Sequence, residues 1–219
     1  MVVTDDEDLG WECRSFRDHG YDVKTRMNLL ALEEKLPYIH NRVGFNYRMT
    51  EIQSVIGINE LKRFDTWNLA RRRKYAKMYD EAFKNLDGIK ALPLNTEERK
   101  NAYWWYPVLL DINALDCKAD KFVKALGAEG SIPCYGIQWP EAYEEKAYRE
   151  LNGFGNAKFP FRSLEYTNPE SVEYEKVLCP TAKKLRDETV NLFLHPTWFE
   201  CHIERCIEGV KKVLKAHRK

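Results

Sequence analysis

The chain lacks a charge excess of either sign. Its 35 Lys and Arg residues face 34 Asp and Glu residues, and the net charge is +1. The two signs are interspersed, so neither a nucleic acid nor an anionic membrane is indicated as a partner. It lacks a long apolar run, so no segment reads as a bilayer-spanning helix. The opening Met1-Val2-Val3-Thr4-Asp5-Asp6 does not read as a secretion signal, and a cytoplasmic location is expected. It also lacks a Cys-x-x-Cys pair. Cys13, Cys117, Cys134, Cys179, Cys201 and Cys206 are widely spaced, which points to reduced thiols rather than a disulfide framework or a zinc site. Cys201, His202 and Cys206 are the nearest approach to a metal pattern. Positions i and i+5 on a helix diverge, so no metal site is expected there.

What is present describes a globular protein. The 219 residues are 44% hydrophobic and 32% charged, enough for one large domain or one and a half ordinary ones. The stretch that organises the rest is Gly44-Phe45-Asn46-Tyr47-Arg48-Met49-Thr50-Glu51-Ile52-Gln53. Thr50 is placed to cap a helix, and Glu51 and Gln53 put a negative charge and a polar group in its first turn. An amide, a phenol and a guanidinium stand just ahead of that cap. Hydrogen-bonding groups gathered at a helix entrance suit an anion, phosphate above all. A capped helix with a decorated loop is the plainer alternative.

Along the chain, Met1–Thr4 reads as the end of a strand, and Asp5 or Asp6 as the cap of a helix bearing Leu9, Cys13 and Phe16 and ending at Gly20. Residues 20–46 form a long connection, with a turn or two of helix expected over Leu29–Leu36. Thr50–Asn85 reads as one long helix or two with a bend. Its apolar stripe holds Ile52, Val55 and Ile56, then Phe64, Trp67, Leu69 and Ala70. Arg71–Lys74 reads as a solvated helix face balanced by Asp65, Asp80 and Glu81. From Lys90 the pattern changes to strands over Tyr103–Leu110, Ser131–Tyr135 and Asn191–Leu194. A helix is expected over Ala119–Leu126 and a closing amphipathic helix over Phe199–His217, with Ile203, Ile207, Val210, Val213 and Leu214 inward. Residues 136–180 are the least regular part and are crowded with aromatics, which must pack on the subdomain, a partner or a ligand.

The organising stretch, followed by Gly57–Asp65 and Arg71-Arg72-Arg73, resembles the DegT/DnrJ/StrS sugar aminotransferases, which are fold type I enzymes using pyridoxal phosphate (PLP). The resemblance covers nearly all 219 residues but only the later half of the family's usual chain. It implies an α/β architecture: residues 1–88 as the end of a large cofactor domain with a linking helix, and residues 89–219 as a small α+β domain with a three-stranded antiparallel sheet. It also implies transamination of a keto sugar or cyclitol with an amino acid donor such as glutamate or glutamine, in a homodimer or with a partner chain. The lysine that carries PLP, its pyridine-facing carboxylate and most phosphate ligands belong to the family's earlier half, so no catalytic residue is assigned. Lys24 and Lys35 lie outside the motif and are not promoted to that role. By the same resemblance Asn46 reaches the PLP phosphate across a dimer. Tyr47, Arg48, His195 (before Pro196) and His40 stand near the substrate. The alternatives are a loop-bonding amide for Asn46, a salt bridge for Arg48 and a backbone-bonded strand-end histidine for His195. The expected function is therefore an aminotransferase portion that is inactive alone. A non-catalytic partner subunit and an inactive remnant are the rivals.

Overall fold

The computed structural model describes residues 2–22, 24, 40, 42–130, 132–137, 139–156 and 158–219. The Leu29–Leu36 turn expected above lies outside them. The chain divides into two compact units, Met1–Arg63 and Phe64–Lys219.

In the first unit, helix α1 spans Glu7–Arg17, and the Asp6 carboxylate accepts from the Leu9 N–H at 2.9 Å, satisfying one of the orphan donors of its first turn. The other end is closed from a distance in sequence. The Phe16 and Arg17 carbonyls accept from the N–H groups of Phe45 (2.8 Å) and Tyr47 (2.9 Å), while His19 N–H donates to the Phe45 carbonyl at 2.9 Å. This lashing needs two glycines back to back. A Cβ on Gly44 would stand 2.1 Å from the Gly20 nitrogen, and one on Gly20, whose φ is +78°, would stand 1.9 Å from the Arg42 oxygen. Helix α2, Glu51–Arg63, opens on a reciprocal capping box: Gln53 N–H donates to Thr50 Oγ1 (3.3 Å) and Thr50 N–H to Gln53 Oε1 (2.9 Å). None of its residues is buried, and Ile52, Val55, Ile56 and Leu61 are exposed. The expected strand over Met1–Thr4 does not form over residues 2–4. A strand needs a paired neighbour, and among the described residues none lies alongside.

The second unit opens with a π-helical segment, Phe64–Leu69, and continues as α3, Ala70–Phe83. Strands β1 (Ile89–Ala91), β2 (Trp105–Leu110), β3 (Cys134–Gly136) and β4 (Thr189–Phe193) form one sheet in the order β1-β2-β4-β3, with every neighbouring pair antiparallel. The sheet therefore has four strands, not the three expected. The extra strand, β1, has three residues and a shifted register, too few for an alternating pattern to register in sequence. Helix α4 is Ala119–Ala128, α5 Lys146–Arg149, α6 Pro180–Glu188 and α7 Glu200–His217.

Alternation sets the faces of this sheet. Tyr106, Val108 and Leu110 of β2, Val190 and Leu192 of β4, and Cys134 of β3 point into the core. Tyr79 and Phe83 of α3, Phe122 and Leu126 of α4, and Ile203, Val210, Val213 and Leu214 of α7 complete it. Ile207 is only partly buried, and Cys206 and Gly209 share the inward stripe instead.

The basic run Arg71–Lys74 is not the solvated face expected. Arg71 donates to Tyr75 Oη (2.8 Å) and the Trp198 carbonyl (2.6 Å), Arg72 to the Tyr103 (2.7 Å) and Leu194 (3.3 Å) carbonyls, and Arg73 to the Asn101 carbonyl (3.2 Å). Lys74 pairs with Glu200. Guanidinium forks tie the helix to the segments flanking β2 and β4, whose carbonyls lie outside the strands. Within residues 136–180, Tyr148, Phe161 and Tyr174 pack on one another with ring centroids 5.2–6.0 Å apart, and Arg162 donates to the Val172 carbonyl at 3.0 Å.

Candidate functional site

The lashing of residues 45–47 onto the end of α1 decides what the organising stretch presents. Asn46 sits opposite Asp18 as an isolated antiparallel bridge. Its side chain is exposed. Oδ1 accepts from the Arg48 N–H at 3.4 Å, and Nδ2 makes no hydrogen bond among the described residues. Arg48 pairs with the Asp18 carboxylate, which also meets His19 Nδ1 at 3.2 Å. Burial pushes the Asp18 carboxyl up. The hydrogen bonds and positive charge of His19 and Arg48 outweigh it and hold the group below its ordinary value. The Arg48 fork is thus held at its carboxylate, with half of the side chain still open to solvent. Tyr47 stacks on Phe45 (5.2 Å, 4°), and Phe16 packs against both at 5.1 and 6.3 Å.

His40 joins the same cluster through rings. It bridges Tyr21 in backbone pairing, the two rings lie 4.6 Å apart, and Tyr21 in turn lies 5.7 Å from His19. Asn46, Tyr47, Arg48 and His40 therefore belong to one surface of the first unit. Asp18, His19 and Tyr21 complete that surface and were not singled out from sequence. The only signal was Gly20 beside them, since its pairing with Gly44 brings residues 18–21 under residues 44–48.

His195 belongs to the second unit, just past β4. The Thr197 N–H donates to its Nδ1 at 3.3 Å, and Thr197 Oγ1 lies 2.7 Å from the same nitrogen. Its ring lies parallel to Phe193 at 5.9 Å. Phe193 meets Trp105 edge-on at 5.1 Å, and Trp105 meets Tyr135 at 5.1 Å. These rings line the sheet face turned away from the core, with Nε2 of His195 as a polar point at the end of the row.

These residues offer neutral and cationic donors to an anion, but they do not make a complete cofactor cradle. Two cavities lie in the second unit. One, of about 450 Å³, is lined by Asn85–Ile89, Asp111, Ala114, Arg218 and Lys219, and the other, of about 210 Å³, by Arg149, Arg162 and Val172–Lys176. Neither contains a residue of the Asn46 surface.

An uncharacterised protein of Methanocaldococcus jannaschii is 28% identical over 190 residues, which is 87% of this chain and 46% of the relative. GDP-perosamine synthase of Caulobacter vibrioides is 32% identical over 130 residues, 59% of this chain and 32% of the relative. The X-ray structure of an aminotransferase from Psychrobacter cryohalolentis superposes with a TM-score of 0.74 at 23% identity, covering 98% of this chain and 51% of that one. The chain spans under half the length of these two curated relatives. The structural match shows a shared fold, that of about half of a fold type I aminotransferase. A family profile matches residues 1–211, and the chain belongs to the DegT/DnrJ/EryC1/StrS aminotransferase family.

Proposed function

We propose that this chain is the C-terminal portion of a PLP-dependent aminotransferase that moves an amino group from an amino acid, such as glutamate or glutamine, to a keto sugar or cyclitol. The family match over residues 1–211 carries this reading. The name of the Caulobacter relative, GDP-perosamine synthase, supports a sugar substrate. When bound, PLP supplies an electron sink for the carbon that exchanges its amino group. This chain contributes the rim of the site rather than its centre. Asn46 presents Nδ2, a neutral donor with no other partner among the described residues, for the cofactor phosphate. Tyr47, Arg48, His40 and His195 are the substrate-side residues. The lysine that holds the cofactor comes from outside the 219 residues.

Such a chain works in an assembly, a homodimer of longer chains or a pair with a catalytic homologue, in the cytoplasm. The exposed Ile52, Val55, Ile56 and Leu61 of α2 support an assembly of either kind, since an apolar helix face is normally covered. The test is a mixed assembly. A family member that keeps its cofactor lysine, but whose counterpart of Asn46 is alanine, is co-expressed with this chain and assayed for keto-sugar transamination. We expect the wild-type chain to restore activity, and Asn46→Ala to restore at least about tenfold less, the worth of one well-placed hydrogen bond. Equal rescue by both chains, or rescue by neither from a co-purifying pair, overturns the assignment.

A further inference from the structure

The neighbouring residues Asp116 and Cys117 lie far from His217 in sequence and beside it in space. One ligand atom from each falls within 4.8 Å of the other two. We propose that these three side chains form a binding site for a divalent transition metal of the zinc class, tying the loop before α4 to the last turn of α7.

The donor set is the first reason. A thiolate, an imidazole and a carboxylate are the three ligand types zinc accepts, at about 2.0–2.3 Å from the ion, which sets tetrahedral neighbours roughly 3.3–3.8 Å apart. The His217 Nδ1 to Asp116 Oδ1 separation is 2.6 Å, a hydrogen bond that a metal replaces by inserting between the two atoms. Separations of 2.6 Å and of up to 4.8 Å stand within about an ångström of that tetrahedral spacing.

The second reason is that the backbone already holds the two segments in place. Asp116 N–H donates to the His217 carbonyl at 2.9 Å, Leu115 and Arg218 form a bridge, and Lys219 N–H donates to the Ala114 carbonyl at 3.1 Å. The ligands thus sit on paired chain segments rather than on free loops, so little ordering entropy is lost on binding. Cys117 is buried and His217 mostly so, while Asp116 is open to solvent. Three protein ligands and one solvent-facing side leave the fourth position for water.

The charges around the cluster set the conditions. Lys121 Nζ stands 3.8 Å from Asp116 Oδ1, and Lys219 also acts on this carboxylate, so both ammonium groups oppose a cation. Asp120 acts in the other sense on Cys117. Cys117 gives up its thiol proton when it binds a metal, so affinity rises with pH.

Cobalt(II) added to the metal-stripped chain reads the site directly. The expected result is one equivalent bound, with a thiolate-to-cobalt charge-transfer band that disappears in Cys117→Ser. In His217→Ala affinity should fall at least tenfold, while Cys201→Ser, which removes the exposed thiol beside His202, changes nothing. Zinc should displace the cobalt. Absence of the band, its survival in Cys117→Ser, or its loss in Cys201→Ser overturns the proposal. Should Cys117→Ser fail to fold, His217→Ala at its partly exposed position decides, and unchanged affinity there counts against the site.

Discussion

Gly44→Val is expected to detach residues 45–47 from helix α1 and to scatter the Asn46 surface. The side chain it adds meets backbone and not a movable group, because the nearest atoms to a Cβ at this position are the Gly20 nitrogen at 2.1 Å, the His19 carbonyl carbon at 2.7 Å and the Gly20 Cα at 2.8 Å. Backbone cannot step aside without opening the three hydrogen bonds that join residues 16, 17 and 19 to residues 45 and 47. At about 1 kcal/mol net for each bond, the local loss is about 3 kcal/mol. Gly20→Ala should do the same from the other side, with the added strain of a side chain at φ +78°. Gly57→Ala is the contrast. Nothing lies within 4 Å of its added methyl, and α2 should gain roughly 0.5–1 kcal/mol from a better helix former. Hydrogen exchange separates these outcomes. The amides of His19, Phe45 and Tyr47 should lose protection in Gly44→Val and keep it in Gly57→Ala. Unchanged protection in Gly44→Val would mean that the two segments do not cross here.

Phe83→Ala should be the costliest single truncation in the second unit, at about 3–5 kcal/mol. Phe83 is fully buried at the end of α3, with Tyr79 stacked on it at 5.5 Å and Tyr106 of β2 at 6.5 Å. Tyr79 and Tyr106 are themselves fully buried, and the Tyr106 hydroxyl donates to Asp80 Oδ1 at 2.5 Å. The ring therefore lies between a helix and the sheet among close-packed aromatic neighbours, and the cavity left by its truncation is expected to persist. Urea unfolding should show a lower midpoint with an unchanged slope, whereas Phe83→Leu should recover most of the loss. A cost below about 1 kcal/mol for the alanine variant would show that α3 is not part of this core.

The elements that could be read from sequence are those whose cause is local. Ile203, Val210, Val213 and Leu214 repeat at helical spacing, so α7 and its buried face were expected, and both are present. Thr50 reads as a helix cap, and its Oγ1 accepts from the Gln53 N–H; the return bond from the Thr50 N–H to Gln53 Oε1 goes beyond that reading. Asp6 likewise caps α1. What could not be read depends on partners far along the chain. Arg71–Lys74 looked like a solvated run because their acceptors, at residues 101, 103, 194 and 198 with Glu200, are distant in sequence. Arg48 finds Asp18 thirty positions back. Strand β1 is too short to carry an alternating signal and exists because Leu109 and Leu110 of β2 leave it an open edge. The site divides in the same way. Asn46, Tyr47 and Arg48 are visible as a motif, while Asp18, His19 and Tyr21 enter only through the fold.

The most direct measurement is borohydride reduction of the isolated chain after incubation with PLP, followed by mass mapping of the peptides. If the chain lends a rim to a site whose lysine lies elsewhere, no lysine, Lys24 and Lys35 included, should carry a stoichiometric adduct. Any labelling should be partial and spread over exposed side chains. A full equivalent at one lysine would contradict this, and would place a complete cofactor site within these 219 residues.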